Sequence, residues 1–328
     1  MKEEQDHAAI LPGSGERVNE HPSAQRRMTP VGQAEKVEID EELVRRLVDA
    51  QFPQWRQLSL QRVVPGGWDN RTFRLGDELL VRLPSADGYA AAVAKEQRWL
   101  PVIAREVTLP VPVPVGLGRP SEDFARPWSV YRWIDGTPAG DAHGLDLVAL
   151  AADLARFLTA LAAVDTRDAP PAGPHSFWRG AHPRVYEADV QRCLTQLEGR
   201  IDCAAARAAW RDALATEITA PPVWFHGDIA PGNLLVRDGR LCAVIDFGTS
   251  GVGDPACDLA IAWTVLDEPA RDVFRDRMPW DEATWVRGRA WALWKTMLTL
   301  VEASGSHDPA EGARKSEAVI DRILADAR

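Results

Sequence analysis

The first clear periodicity in the chain follows three acids. After Asp40, Glu41 and Glu42, the apolar residues Val44, Leu47 and Val48 recur at helical spacing and predict a helix over 39–52. Three runs with strand character come next, at 58–64, 71–75 and 78–83, joined by Pro65-Gly66-Gly67 and by Gly76-Asp77. Glycine and proline at those joints are turn signals. A helix is predicted over 89–105 and two more strands over 113–117 and 128–133. One helix inserted among strands describes an α+β lobe rather than a repeating βαβ sheet.

Beyond Gly136 the spacing becomes helical, at 146–164, 185–197, 203–218 and through almost everything after Pro255. The exception is 222–247. There Leu234 to Val236 and Leu241 to Ile245 flank the turn Arg237-Asp238-Gly239, which reads as a β-hairpin with polar residues at both ends. Residues 1 to about 35 hold Gly, Pro, Ser, Glu and Arg without an apolar period, and are expected to form a mobile tail. Met28, near its end, is a candidate alternative start. The expected organisation is therefore a tail at 1–37, a small lobe at 38–134 and a helical lobe at 135–328.

Composition agrees with two packed lobes, because 328 residues exceed the usual size of one hydrophobic core. Apolar residues make up 45% and charged residues 26%, as in ordinary globular proteins. A net charge of −10 argues against a nucleic-acid partner and is compatible with a cationic ligand. No apolar run approaches the roughly 18 residues needed to cross a bilayer. The polar stretch 1–27 has no hydrophobic core of a secretory signal. Cys193, Cys203, Cys242 and Cys257 form neither a CxxC pair nor a metal spacing with histidine, so they read as thiols in a reducing compartment. A cytoplasmic protein without membrane partners is expected.

The chemistry concentrates in His226-Gly227-Asp228-Ile229-Ala230-Pro231-Gly232-Asn233, followed by Ile245-Asp246-Phe247-Gly248. Phosphoryl transfer needs a group that orients a hydroxyl and takes its proton, and oxygen ligands that hold Mg2+ on the phosphates. An Asp followed five residues later by an Asn, and one hairpin later by a second Asp before Phe-Gly, matches that order. Asp228 is then the base, and Asn233 and Asp246 the metal ligands. Each residue alone could cap a turn or end a strand; the ordered set favours the functional reading.

These motifs, with Gly253-Asp254-Pro255-Ala256-Cys257-Asp258-Leu259, resemble the aminoglycoside phosphotransferase family over about residues 38–303. That family includes macrolide kinases and is similar to choline, homoserine and fructosamine kinases. The resemblance implies a protein-kinase-like two-lobe α+β fold, with a small β-rich N-terminal lobe, a hinge and a larger helical C-terminal lobe. It implies transfer of the γ-phosphate of ATP or GTP to a small-molecule hydroxyl, with Mg2+. The acceptor would be an aminoglycoside-like antibiotic, a macrolide or a hydroxylated metabolite.

Further roles follow from the resemblance. Gly66, Gly67 and Asn70 fall where the phosphate-covering loop would lie. Arg82 takes the slot of the kinase strand lysine, with Glu96 in the next helix as its partner. Arg132 and Ile134 would hold adenine through backbone atoms. His226, Asp254 and Asp258 read instead as braces and caps, and Trp263, Trp280, Trp285, Trp291 and Trp294 mostly as helix packing. Asp267, Glu268, Asp272, Asp276, Asp281 and Glu282 form an acidic stretch in the helical part. It is either a solvated helix face or a site for a cationic acceptor.

Three other functions fit the sequence less well. A protein kinase needs a long activation segment, and only a few residues separate Gly248 from Gly253. A catalytically inactive nucleotide-binding scaffold would lack one of Asp228, Asn233 and Asp246, and all are present. A hydrolase or acyltransferase would need a G-x-S-x-G elbow or a Cys–His pair, and neither occurs.

Overall fold

The computed structural model describes residues 38–64, 69–302 and 309–327, all within one compact unit, Ala34–Arg328. The predicted tail and the Gly66-Gly67 turn lie outside the described residues. Helix α1, Glu41–Gln51, starts where Asp40 accepts the Leu43 amide at 2.8 Å. Glu41 and Glu42 in the first turn complement the positive end of the helix dipole. One face of α1 buries Leu43, Val44, Leu47 and Val48.

Strands β1 (Leu60–Arg62), β2 (Asn70–Leu75) and β3 (Leu79–Pro84) lead into helix α2 (Asp87–Glu106), and strands β4 (Pro114–Gly118) and β5 (Trp128–Arg132) follow. They form one antiparallel sheet in the order β1-β2-β3-β5-β4. The expected strand over 58–64 contracts to three residues, and Leu58 and Val64 at its ends are exposed. Along β3, Leu79, Val81 and Leu83 point into a core shared with α1, Phe73 and Trp128. The period of two then leaves Arg82 on the opposite face, toward α2.

The rest of the chain is largely helical. It contains β6 (Thr137–Pro138), α3 (Leu147–Ala162), α4 (Glu187–Gln196), α5 (Cys203–Leu214), β7 (Val223–Phe225), β8 (Leu234–Arg237), β9 (Arg240–Val244) and β10 (Gly251–Gly253). Four helices close it: α6 (Ile261–Thr264), α7 (Glu268–Arg277), α8 (Glu282–Glu302) and α9 (Pro309–Ala325). A second core gathers Leu154 and Phe157 of α3, Trp263, and Leu293 and Met297 of α8. Leu100 and Ile103 of α2 and Tyr131 of β5 also belong to it, so these elements join the sheet to the helices. Among the described residues, no helix is long and apolar enough to cross a membrane.

Strands β6, β7 and β10, of two or three residues each, escaped the sequence reading because such short runs carry no period. They matter for the site. Antiparallel pairing of β7 with β10 sets Phe225 opposite Gly251, so the segments after β7 and before β10 leave the ladder side by side. The hairpin β8–β9 lies between them, and the Ile245 amide donates to Asn233 O at 2.9 Å across its base.

Candidate active site

The loop after β7 is fixed by its own backbone bonds. Buried Asp258 accepts the amides of His226 and Gly227, each at 2.7 Å. His226 uses both ring nitrogens: Nδ1 accepts the Asp228 amide at 3.2 Å, and Nε2 donates to Ile245 O at 3.0 Å. Gly227 has φ +86°, and a Cβ there would lie 2.9 Å from Thr249 O. Only glycine accommodates both demands. Asp254, whose carboxylate caps the Ala256 amide, is held by the guanidinium of Arg287 on α8, and both side chains are fully buried. The bracing roles expected for His226 and Asp258 match these contacts. Among the described residues Asp258 caps no helix end.

Asp228 sits between two donors. Its Oδ1 accepts from Lys295 Nζ at 2.7 Å, and its Oδ2 from Asn233 Nδ2 at 2.9 Å. Burial alone would raise its pKa, but the Lys295 ammonium outweighs that and holds the carboxyl below the usual range. Sequence reasoning missed Lys295. Its signal was a single cation amid the apolar run of α8, Trp291-Ala292-Leu293-Trp294-Lys295.

Asp246 has φ +67°, a left-handed conformation uncommon for a residue with a Cβ. Arg82 reaches it at 2.9 Å from Asp246 Oδ1, whereas Glu96 Oε1 is 3.6 Å from Arg82. The expected Arg82–Glu96 pair is present, yet the closer partner is Asp246. Burial would push the Asp246 pKa up, but Arg82 brings it below the ordinary carboxylate value. Burial likewise opposes the charge on Arg82, and Asp246 and Glu96 overcome it and raise its pKa. Glu96 accepts the Tyr131 hydroxyl on its other oxygen. On the same helix, Lys95 donates to Gly248 O and Ser250 O, both at 2.7 Å, tying α2 to the segment that follows Asp246.

Asp69, another residue the sequence reading left without a role, approaches the same centre. Its pKa is raised by burial and then by the charges of Asp246 and Asp228. Asn70 begins β2 opposite Pro84, and Gly66 and Gly67 lie outside the described residues. At the joint, the Arg132 amide donates to Val113 O at 3.0 Å and the Trp133 amide to Glu78 O at 2.7 Å. The Ile134 amide donates to no backbone carbonyl among the described residues. Arg74 stacks on the Trp133 ring at 4.5 Å.

Asn233 spends its side-chain nitrogen on Asp228, and its side-chain oxygen Oδ1 accepts no hydrogen bond among the described residues. Asp246 offers Oδ2 beside the oxygen taken by Arg82. These are two hard oxygen donors of the type Mg2+ accepts, and few protein ligands suffice because that ion retains water. Among the described residues no group of three or more His, Cys, Asp or Glu side chains is placed to hold a metal. Two such donors would suit Mg2+ better than an ion that needs a closed protein cage.

A cavity of about 240 Å3 opens on the far side of Asp228, lined by Arg179, Trp291, Trp294, Lys295 and Lys315 among others. The acidic stretch, read from sequence as either a solvated helix face or a site for a cationic acceptor, does not line it. Asp267 caps α7 through the Ala270 amide, Asp281 binds the Thr284 amide, and Glu282 pairs with Arg275. The charges of these three acids serve helix ends and a surface pair. Two of the tryptophans read mostly as helix packing, Trp291 and Trp294, line the cavity.

The family model described as the phosphotransferase enzyme family matches residues 61–291. A stretch of 47 residues is 43% identical to aminoglycoside 3'-phosphotransferase from Escherichia coli, covering 14% of this chain and 17% of that protein. Among solved structures, the GDP complex of wild-type aminoglycoside 2'-phosphotransferase-IIIa superposes with a TM-score of 0.63 at 17% identity, over 88% of this chain and 99% of that one. The streptomycin–ATP ternary complex of APH(2")-IIa gives 0.53 at 19% identity, over 88% and 97%. Macrolide 2'-phosphotransferase from Brachybacterium faecium gives 0.53 at 22% identity, over 86% and 98%. These likenesses show a protein-kinase-like fold, with the five-stranded sheet followed by a largely helical part.

Proposed function

This chain belongs to the phosphotransferase enzyme family, and from that premise we propose that it transfers the γ-phosphate of ATP or GTP to a hydroxyl of a small molecule. The observation that carries the reading is the convergence of Asp228, Asn233 and Asp246 at the base of one hairpin, with Asn233 bonded to Asp228. Complexes of similar structures with ATP and with GDP support a nucleoside triphosphate as donor.

In this mechanism the acceptor hydroxyl approaches from the cavity and is oriented by Asp228. The carboxylate is ionised and its second oxygen is steadied by Asn233, so it can take the hydroxyl proton as the new O–P bond forms; the bond from the γ-phosphorus to the β–γ bridging oxygen breaks, and the nucleoside diphosphate leaves. Asn233 and Asp246 would hold Mg2+, which when bound neutralises charge on the β- and γ-phosphate oxygens. Arg82 supplies a cation from the sheet side, where a guanidinium can grip phosphate through two N–H groups. The backbone of Arg132 and Ile134 would receive the base. Gly66 and Gly67, with Asn70, would cover the phosphates. The small-lobe boundary at residue 134 belongs to this proposal, as does a cytoplasmic setting.

Acceptors of the class include aminoglycosides and macrolides, which the similar structures act on or bind, and hydroxylated metabolites. The decisive measurement is ADP release over a panel of such acceptors, with Asp228→Ala and Asp246→Ala as controls and circular dichroism to verify folding. Both variants should lose transfer. Near wild-type turnover in either would remove the assignment.

A further inference from the structure

The chemistry of the cavity beside Asp228 speaks to the acceptor. Its lining includes three cations, Arg179, Lys295 and Lys315, and Asp228 is the one carboxylate among its described residues. Lys295 is matched by Asp228, and Lys315 by Glu311 at 2.7 Å. Arg179 forms no salt bridge among the described residues, although its charge is felt at Asp228, which Lys295 already pairs. Its Nε donates to Gly227 O at 3.2 Å and its Nη1 to the Tyr186 hydroxyl at 3.3 Å, while Nη2 has no acceptor there.

The guanidinium is also fixed in place. It stands 4.7 Å from the Trp294 ring, 5.4 Å from Trp291 and 5.8 Å from Tyr186. Cation–π contacts of this kind hold a guanidinium without neutralising it. The indole N–H groups of Trp291 and Trp294 are buried without a partner among the described residues, so both are further unused donors in residues that border the cavity. Because Arg179 bonds the carbonyl of Gly227, it is anchored to the residue directly before Asp228.

Resting on the phosphotransferase reading, we propose that the acceptor carries an anionic oxygen group, carboxylate or phosphate, which Arg179 grips while Asp228 receives the hydroxyl. A guanidinium with two free N–H groups matches an oxyanion in shape as well as charge. The flanking indoles suit an acceptor with a flat apolar body. The triphosphate is not this anion, since Arg82, Asn233 and Asp246 are absent from the cavity lining. A polycation would meet Arg179, Lys295 and Lys315 and find no spare carboxylate among the described lining residues.

The test uses the full chain and four matched probes: para-hydroxymethyl benzoate, the corresponding phenylphosphonate, the benzamide and the benzylamine. Binding is measured by calorimetry without nucleotide. At least one of the two anions should bind tenfold or more tighter than the amide and the amine, and its affinity should fall as salt is raised. Whichever anion leads identifies the group. Arg179→Gln should erase the preference while ATP affinity, measured separately, stays unchanged. Should that variant not fold, the wild-type preference and its salt dependence decide alone. Absent anion binding, an amine or amide that binds as tightly as either anion, or a preference that survives in Arg179→Gln would overturn the proposal. ADP release with Asp228→Asn as control separates the two readings. An anion preference without Asp228-dependent transfer counts against phosphotransfer, and transfer without the preference counts against the oxyanion site.

Discussion

Lys295 places its ammonium 2.7 Å from Asp228 Oδ1, although 67 positions separate the two residues. The base of the proposed reaction thus carries its own counter-charge, delivered by α8 from the acceptor side. An ionised carboxylate loses activity as pH falls through its pKa, and Lys295 keeps that pKa low. Replacing the cation as Lys295→Met should raise the Asp228 pKa and move the acid limb of the kcat profile to higher pH. The check is a pH–rate profile of both proteins with the same acceptor; superimposable acid limbs would count against the coupling.

Arg82 bridges two carboxylates, Asp246 and Glu96. Glu96 is buried, so Arg82→Ala should cost about 3 kcal/mol, the scale seen when one partner of a buried pair is removed. The Asp246 side adds less, being 38% exposed and partly screened by solvent. The same variant should raise the nucleotide KM, whereas Arg82→Lys keeps one ion pair and most of the activity. Urea unfolding and nucleotide saturation curves measure the two effects.

Asp258 satisfies two backbone amides of the loop that carries Asp228 at once. Asp258→Ala leaves both His226 and Gly227 amides unpaired in a buried site, at about 1–3 kcal/mol each. Stability should fall by a few kcal/mol, and kcat should drop more than the nucleotide KM rises, because the loop positions Asp228 rather than the base or triphosphate. Equal changes in the two constants would argue against a positioning role.

Lys95 is held at a pKa of about 8 by burial, only partly countered by Glu96 and Asp246. Between about pH 8 and its ordinary value near 10.5, the unfolded chain binds more protons at this group than the folded one. Stability contributed by Lys95 therefore rises with pH across that window. The difference in urea midpoint between wild type and Lys95→Met should widen in favour of wild type from pH 8 to 10. A constant difference would mean that Lys95 titrates normally.

Much of this protein was written in the one-dimensional pattern. Helix α1, the hairpin β8–β9 and the order Asp228, Asn233, Asp246 were legible because local spacing and turn chemistry dictate them. The spacing of acid, amide and second acid also sufficed to identify the reaction class. The tertiary structure alone decided which distant charges meet. It set Arg82 nearer to Asp246 than to Glu96, brought Lys295 to Asp228, and turned the acids Asp267 and Asp281 into helix caps. It also left Arg179 among three aromatic rings without a salt bridge among the described residues. Sequence periodicity reports which face of an element is apolar, whereas charge pairing depends on how separate elements pack, and that packing is fixed by the two cores as a whole.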